Sequence, residues 1–221
     1  MAASEAGAEG TALREAIIAT ALQMNALGIN RGKSGNVSAR INAGFLITPS
    51  ALPYAETEPD DIVAVDRDGA ATGRRAPSSE WRFHRDIYAA RPEVMAIVHT
   101  HAPFATTLAC LDRGIPAFHY MIAVAGGTDI RCAPYATFGT QELSDHAVQA
   151  LEGRTACLLA HHGMIAVGDS LESALALAVE VETLAETYWR ALQIGEPALF
   201  DEREMREVLL RFAAYKRQST R

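Results

Sequence analysis

The amino-acid sequence predicts a layered α/β domain built on a mixed, largely antiparallel sheet. Three observations lead there. Apolar residues at helical spacing and at strand spacing alternate along the chain, with only short turns between them. Two of the strand patterns, "NVSARI" and "GFLITP", are joined by "NAG", a good hairpin turn. No linker or internal repeat divides the 221 residues, a length within reach of one sizeable domain. Hairpin signals favour antiparallel pairing over a doubly wound parallel sheet.

The elements follow in order. "MAASEAGAEG" reads as a disordered lead-in over residues 1–10, and residues 11–221 as a single domain. "TALREAIIATALQMNALGIN" places Leu13, Ile17, Ala21 and Met24 at helical spacing, with Gly28 as its stop. The hairpin comes next, then a strand "DIVAVD" closed by "RDG". "SSEWRFHRDIYAAR" predicts a helix capped by Ser78 or Ser79, with Pro92 beyond its end. The strand "AIVHTH" precedes a helix over Pro103–Asp112, and the run "ACLLAHHGMIAV" is strand-like. A long helix is expected over Ser170–Gln193, striped by Leu171, Leu175, Ala178, Val181 and Leu184, and a final one over Glu202–Tyr215.

Composition narrows the function classes. Hydrophobic residues make up 49%, enough for a substantial core. The 27 acidic residues outnumber 20 Lys and Arg, and no basic stripe or aromatic–basic interleaving is present, which argues against a nucleic-acid partner. No apolar run reaches the roughly 18–20 residues of a membrane span, and the N-terminus lacks a basic stretch followed by an apolar one. Cys110, Cys132 and Cys157 are odd in number and widely spaced, so they read as free thiols in a reducing, cytoplasmic compartment.

Four side chains stand out as candidate metal ligands: Glu80, His99, His101 and His162. A lone histidine in an apolar strand is more often a hydrogen-bonded core residue than a ligand. The His-x-His of "AIVHTHA" is different, because residues two apart share one face of a strand and each buried ring would need a partner. The doublet His161–His162 offers a further imidazole; on a strand only one of the two can face a given side, and spacing alone does not choose between them. Zinc accepts imidazole nitrogen and carboxylate oxygen, and a catalytic zinc commonly has three protein ligands plus an open position. Three histidines and a displaceable carboxylate fit that pattern.

The motifs "SGNVSAR", "ITPS", "PSSEWRFHRDIY", "RPEVMAIVHTHA", "PAFHYMIAVAGG", "CAPYATFGT" and "HHGMIAVG" resemble, colinearly from about Leu13 to Tyr215, the class II aldolase/adducin family, most closely its L-fuculose-1-phosphate branch. The resemblance implies a three-layer α/β/α sandwich, one Zn2+ per subunit held by Glu80, His99, His101 and His162, and a homotetramer with active sites at subunit interfaces. It settles the doublet in favour of His162. It also implies that a ketose 1-phosphate is cleaved reversibly to dihydroxyacetone phosphate and an aldehyde through a metal-stabilised enediolate. The substrate phosphate would rest on Gly35, Asn36, Ser50, Ala51, Ser78 and Ser79. Glu80 would serve as acid/base after displacement from the metal, Tyr120 of a neighbouring subunit would handle the aldehyde-oxygen proton, and Tyr215 would close over the site.

The phosphate set is sensible on its own terms, since a glycine admits close backbone approach and a helix N-terminus favours an anion. Without the resemblance, "SSE" is a plain cap with a first-turn acid and "SGN" an ordinary turn. One position departs from the family. Its usual Thr-Pro-Thr-Gly is here Thr48-Pro49-Ser50-Ala51, which keeps a hydroxyl but places a Cβ where glycine permits close approach or a positive φ. A related substrate, such as a deoxypentulose or methylthiopentulose 1-phosphate, therefore stands beside L-fuculose 1-phosphate. Other readings are a sugar-phosphate 4-epimerase, in which an aspartate typically replaces Glu80, a decarboxylase on the same metal site, and a non-catalytic adducin-like interaction module that has lost the ligands.

Overall fold

Residues 36–41 and 44–47 form the expected hairpin, and the whole sheet grows from it. A computed structural model describes residues 2–219, with side chains described for residues 10–215. The strands are β1 (Asn36–Ile41), β2 (Gly44–Ile47), β3 (Val63–Asp66), β4 (Ala71–Thr72), β5 (Ala96–Thr100), β6 (Cys132–Ala133), β7 (Ala156–Leu159) and β8 (Gly163–Gly168). They make one eight-stranded sheet in the order β4-β3-β2-β1-β5-β8-β7-β6. Every pairing is antiparallel except β6 with β7.

Alternation along the strands gives the sheet two apolar faces. Val37, Ala39, Leu46, Val98, Leu158 and Met164 face α1 (Ala2–Ala26), α3 (Pro103–Ala109) and α5 (Leu171–Ile194). Phe45, Ile47, Val65, Ile97, Leu159 and Ile165 face α2 (Trp81–Ala90) and α4 (Gln141–Ala150). The architecture is thus a three-layer α/β/α sandwich. A last helix, α6 (Glu202–Ser219), lies against a 3-10 segment, Tyr120–Ala125. Most of the predicted stripes are buried: Ile17, Ala21 and Met24 in α1, and Ala178, Val181 and Leu184 in α5, have almost no exposed surface, Leu175 has little, and Leu13 and Leu171 at the ends are half-buried.

Several expectations change. α1 is continuous from Ala2, so it takes in the segment expected as a disordered lead-in, whose alanines and glutamates are good helix formers. α3 stops at Ala109, because the chain turns through Asp112 at φ 52° and Arg113 N–H bonds back to Leu108 O. α5 starts at Leu171 behind a Ser170 cap, and α6 runs on to Ser219. Neither Ser78 nor Ser79 caps α2: Glu80 occupies that position and makes no side-chain cap bond. "ACLLAHHGMIAV" is two strands, β7 and β8, with the histidine doublet in the turn between them. α4 has no counterpart among the expected helices, although Thr140 caps it and Leu143, Ala147 and Ala150 bury at helical spacing. The two-residue strands β4 and β6 were also too short to read.

Candidate metal centre

The site forms where three chain segments end on the α2 face of the sheet. β5 is central, flanked by β1 and β8, and register places Asn36 opposite His99 and His99 opposite Ile165. His99, fully buried, therefore points toward α2, where the edge of its ring meets Phe83. His101 lies just beyond the end of β5. Glu80 enters from the N-terminus of α2 and His162 from the β7–β8 turn.

The four side chains converge. Ligand-capable atoms of Glu80, His99, His101 and His162 all lie within 4.8 Å of one another. His99 Nε2 is 3.1 Å from Glu80 Oε2, and His162 Nε2 is 3.0 Å from Glu80 Oε1. His99 and His101 bring their Nε2 atoms to 3.2 Å. His99 Nδ1 donates to Met164 O at 2.9 Å, which fixes the tautomer and leaves Nε2 facing the cluster. Glu80 Oε1 is buried and has no hydrogen bond. A buried carboxylate oxygen without a donor, amid three converging imidazoles and no thiol, suits a divalent ion of zinc type.

The doublet resolves through backbone geometry rather than strand alternation. His161 adopts φ 54° and turns outward, half-exposed, with Nε2 3.6 Å from Asp112 Oδ1. His162 turns inward as a result. The hairpin can close this near the site because residue 163 is glycine. A Cβ there would lie 2.6 Å from Thr100 O and 2.9 Å from the His101 ring. Gly35 has a similar reason: a Cβ would lie 2.5 Å from His99 O. Its freedom serves the approach of β5, and Gly35 itself is buried, with its carbonyl accepting from the Tyr54 hydroxyl.

Charge in the cluster is opposed and paired. Burial works against the Glu80 carboxylate, but His99 and His162 outweigh it and hold the group well below the usual carboxylate range. In this position Glu80 is held as the anion, and an acid/base role requires it to leave these partners. Burial, together with His99 and His162, pushes His101 down to about 4, so its imidazole is neutral and available as a ligand at neutral pH.

The expected phosphate residues divide. Segments 48–51 and 76–79 pair through a bridge between Pro49 and Pro77, with Ser50 N–H donating to Ala76 O and Ser78 N–H to Thr48 O. This brings Ser50, Ala51 and Ser79 to the surface beside the start of α2. Ser78 is buried, and its hydroxyl accepts weakly from Glu80 N–H at 3.3 Å. Asn36 is buried too, and its amide donates to Glu80 Oε2 at 3.0 Å rather than facing outward. Ala51 does adopt the left-handed conformation, φ 59°. Lys33, which the sequence reading did not single out, donates to Ala51 O at 2.7 Å. Tyr120 and Tyr215 lie on the other helical layer, in the 3-10 segment and α6; the half-exposed Tyr120 ring stacks near Phe212, with centroids 6.4 Å apart.

A model of the class II aldolase and adducin N-terminal domain matches residues 15–189. The chain belongs to that family. It is 61% identical over 204 residues to the 5-methylthioribulose-1-phosphate/5-deoxyribulose-1-phosphate aldolase of Rhodospirillum rubrum, covering 92% of each chain. It is 49% identical over 208 residues to the L-fuculose phosphate aldolase of Escherichia coli K12, covering 94% of this chain and 97% of that one. A solved L-fuculose 1-phosphate aldolase superposes with a TM-score of 0.88 at 40% identity, over 91% of this chain and 96% of the other. The chain is an enzyme of the metal-dependent class II aldolase type, and the Glu–His cluster is its candidate metal site.

Proposed function

We propose that the chain is a zinc-dependent aldolase that reversibly cleaves a 5-deoxy- or 5-methylthiopentulose 1-phosphate, with L-fuculose 1-phosphate as the related alternative, to dihydroxyacetone phosphate and an aldehyde. The observation that carries this reading is the four-residue cluster with its uncommitted Glu80 oxygen, set beside an exposed serine-bearing turn at a helix N-terminus. The greater identity to the methylthioribulose-type relative supports the choice of pentulose.

His99, His101 and His162 would hold the ion, with Glu80 as the fourth ligand until substrate arrives. The bound ion supplies Lewis acidity to the substrate carbonyl, lowering the cost of the negative charge that cleavage creates. The rest falls to the chain. When the C3–C4 bond breaks, its electron pair stays on C3 of the dihydroxyacetone phosphate fragment. Glu80, freed from the histidines and protonated from solvent, delivers that proton to C3 and returns to the carboxylate, which removes it again in the synthetic direction. As the aldehyde forms, Tyr120 from a neighbouring subunit relays the C4 hydroxyl proton to solvent, balancing the proton that Glu80 took up, and Tyr215 covers the site; the homotetramer that the resemblance implies would supply that neighbour. Ser50, Ala51, Ser78 and Ser79 hold the phosphate at the start of α2, where free N–H groups and the helix dipole favour an anion. Gly35 and Asn36 shape the site from behind, and Lys33 adds a positive charge at its rim. The free cysteines fit a reducing, cytoplasmic compartment; no described helix is long and apolar enough to cross a membrane.

The test is to incubate zinc-loaded protein with a panel of ketose 1-phosphates, with and without chelator, and measure dihydroxyacetone phosphate. Chelator-sensitive release, fastest from 5-methylthioribulose 1-phosphate, is expected. Zinc-loaded protein that releases none from any panel member would end the aldolase reading.

A further inference from the structure

Behind the cluster runs a line of buried polar groups that the mechanism above does not use. Asn36 Nδ2 donates to Glu80 Oε2 at 3.0 Å, and Asn36 Oδ1 meets His84 Nε2 at 2.5 Å. On the far side of that ring, His84 Nδ1 lies 2.7 Å from Ser38 Oγ, which lies 2.8 Å from the Tyr88 hydroxyl. Asn36, Ser38 and His84 are essentially without solvent exposure, and Tyr88 is nearly so. Two elements build the line. Asn36 and Ser38 are alternate residues on the α2 face of β1, while His84 and Tyr88 are one turn apart on α2, one turn further along from Glu80.

The protons in this line can be placed in only one way. A carboxylate accepts only, so Asn36 must present its NH2 to Glu80 and its Oδ1 to His84. His84 Nε2 must then carry the ring proton. Burial and the neighbouring His99 push the His84 pKa down to about 3, so the ring is neutral and its Nδ1 is bare. That Nδ1 accepts from Ser38. Ser38 has then spent its single proton and must accept from Tyr88. Every donor in the line points toward Glu80. Bonds aligned this way polarise one another in a medium of low dielectric constant.

We propose that Tyr88, Ser38, His84 and Asn36 are positioning residues, forming a one-way hydrogen-bond chain that fixes the Glu80 carboxylate through Oε2 and leaves Oε1 as the oxygen offered to a divalent ion. The proposal rests on the metal-dependent reading given above and extends it to residues that touch neither ion nor substrate. It accounts for two facts together: Oε2 accepts from the Asn36 amide, and the buried Oε1 has no such anchor and faces only the candidate ligand His162, whose Nε2 lies 3.0 Å away. It also gives Tyr88 a part in the site from the far end of the line, where its ring is held by Phe45 and by Arg40 stacked over it.

Zinc affinity, measured by competition with a chromogenic chelator in the absence of substrate, tests the chain directly. The proteins are the unaltered chain, Ser38→Ala, Tyr88→Phe and the double variant, each checked by circular dichroism. Tyr88→Phe keeps the ring and both of its packing partners, and removes only the first donor. Each single variant should weaken zinc binding by about tenfold, the lower end of the effect of altering groups that orient metal ligands. Because Ser38→Ala already cuts the line, adding Tyr88→Phe should change the affinity by less than about twofold, whereas independent packing effects would multiply. Where zinc is saturating, kcat should fall with KM held within about twofold. Unchanged affinity in both single variants, or a multiplicative double variant, overturns the proposal. If Ser38→Ala does not fold, Tyr88→Phe decides alone: normal affinity overturns the chain. An unaltered protein that fails to bind zinc overturns the metal reading and the chain together. One that binds zinc through the chain but releases no dihydroxyacetone phosphate overturns the aldolase reading alone.

Discussion

Ala51→Gly should make the protein more stable, although it removes a side chain. Ala51 sits at φ 59°, where the Cβ crowds the following carbonyl. That conformation costs an L-residue about 1–2 kcal/mol relative to the right-handed region. Glycine escapes the crowding but gains freedom in the unfolded chain, which takes back about 0.4–1 kcal/mol. The Ala51 methyl is exposed, so its loss removes little apolar burial. The net gain is about 0.5–1 kcal/mol by this difference. An unfolding entropy of about 2.1 cal/mol/K per residue converts it to a rise of roughly 1–2 °C for a chain of 221 residues. Urea unfolding of zinc-loaded protein, followed by circular dichroism, is the assay. Ala51→Val serves as the opposing control, because a β-branched residue is worse still at positive φ. A Gly variant no more stable than the unaltered chain, or a Val variant equal to it, would refute a left-handed residue 51 and the account of the phosphate turn that depends on it.

The remaining predictions concern the site and its supports. Glu80→Gln should leave zinc largely bound while lowering the aldol rate by about 10²–10⁴, the size attributed to general acid–base catalysis; steady-state turnover beside metal analysis decides, and unchanged turnover would end the acid/base role. Glu182 accepts from Phe104 and Ala105 N–H, each at 2.8 Å, and so caps α3 just after His101. Glu182→Ala should cost about 1–2 kcal/mol, as loss of a helix cap does, and an unmoved urea midpoint would refute the cap. Hydrogen bonds from Arg74 and Arg75 hold the Asp61 carboxyl below the usual carboxylate range. A depressed folded pKa contributes stability that is full above the unfolded carboxylate value of about 3.9 and is lost as pH falls below it. The stability deficit of Asp61→Asn should therefore be largest near neutral pH and shrink toward pH 3 and below; a deficit independent of pH would contradict the pairing.

The histidine pair was legible because it had a local reason to be unusual: two imidazoles on one side of an apolar strand are an oddity in any sequence. Glu80 was not, since an acid in the first turn of a helix is ordinary, and the resemblance marked it as a ligand. Choosing His162 over His161 was a different matter. The resemblance supplied that choice, while the physical cause, a positive φ at His161, appears only once the run breaks into two strands. The resemblance makes Gly35 and Asn36 part of an anion-binding turn, yet both are turned inward, because the partner that claims them, β5, is about sixty residues away in sequence. His84 and Tyr88 did leave a signal, falling four and eight residues after Glu80. It was silent without knowing that β1 lies opposite. Glu182 was unreadable for the same reason, since its carboxylate caps a helix other than its own.

The sheet's outermost strands, β4 and β6, are only two residues long. A longer unpaired strand at either margin would expose a row of N–H and C=O groups on which another chain could extend the sheet. Eight strands ending in such stubs give little template for continuing the hydrogen-bonded ladder from one chain to the next. Contacts between copies would fall instead on helices and loops, where large apolar side chains such as Phe138, Leu210 and Tyr215 are exposed. Contacts of that kind can be remodelled residue by residue without disturbing the strands that hold the histidines in place.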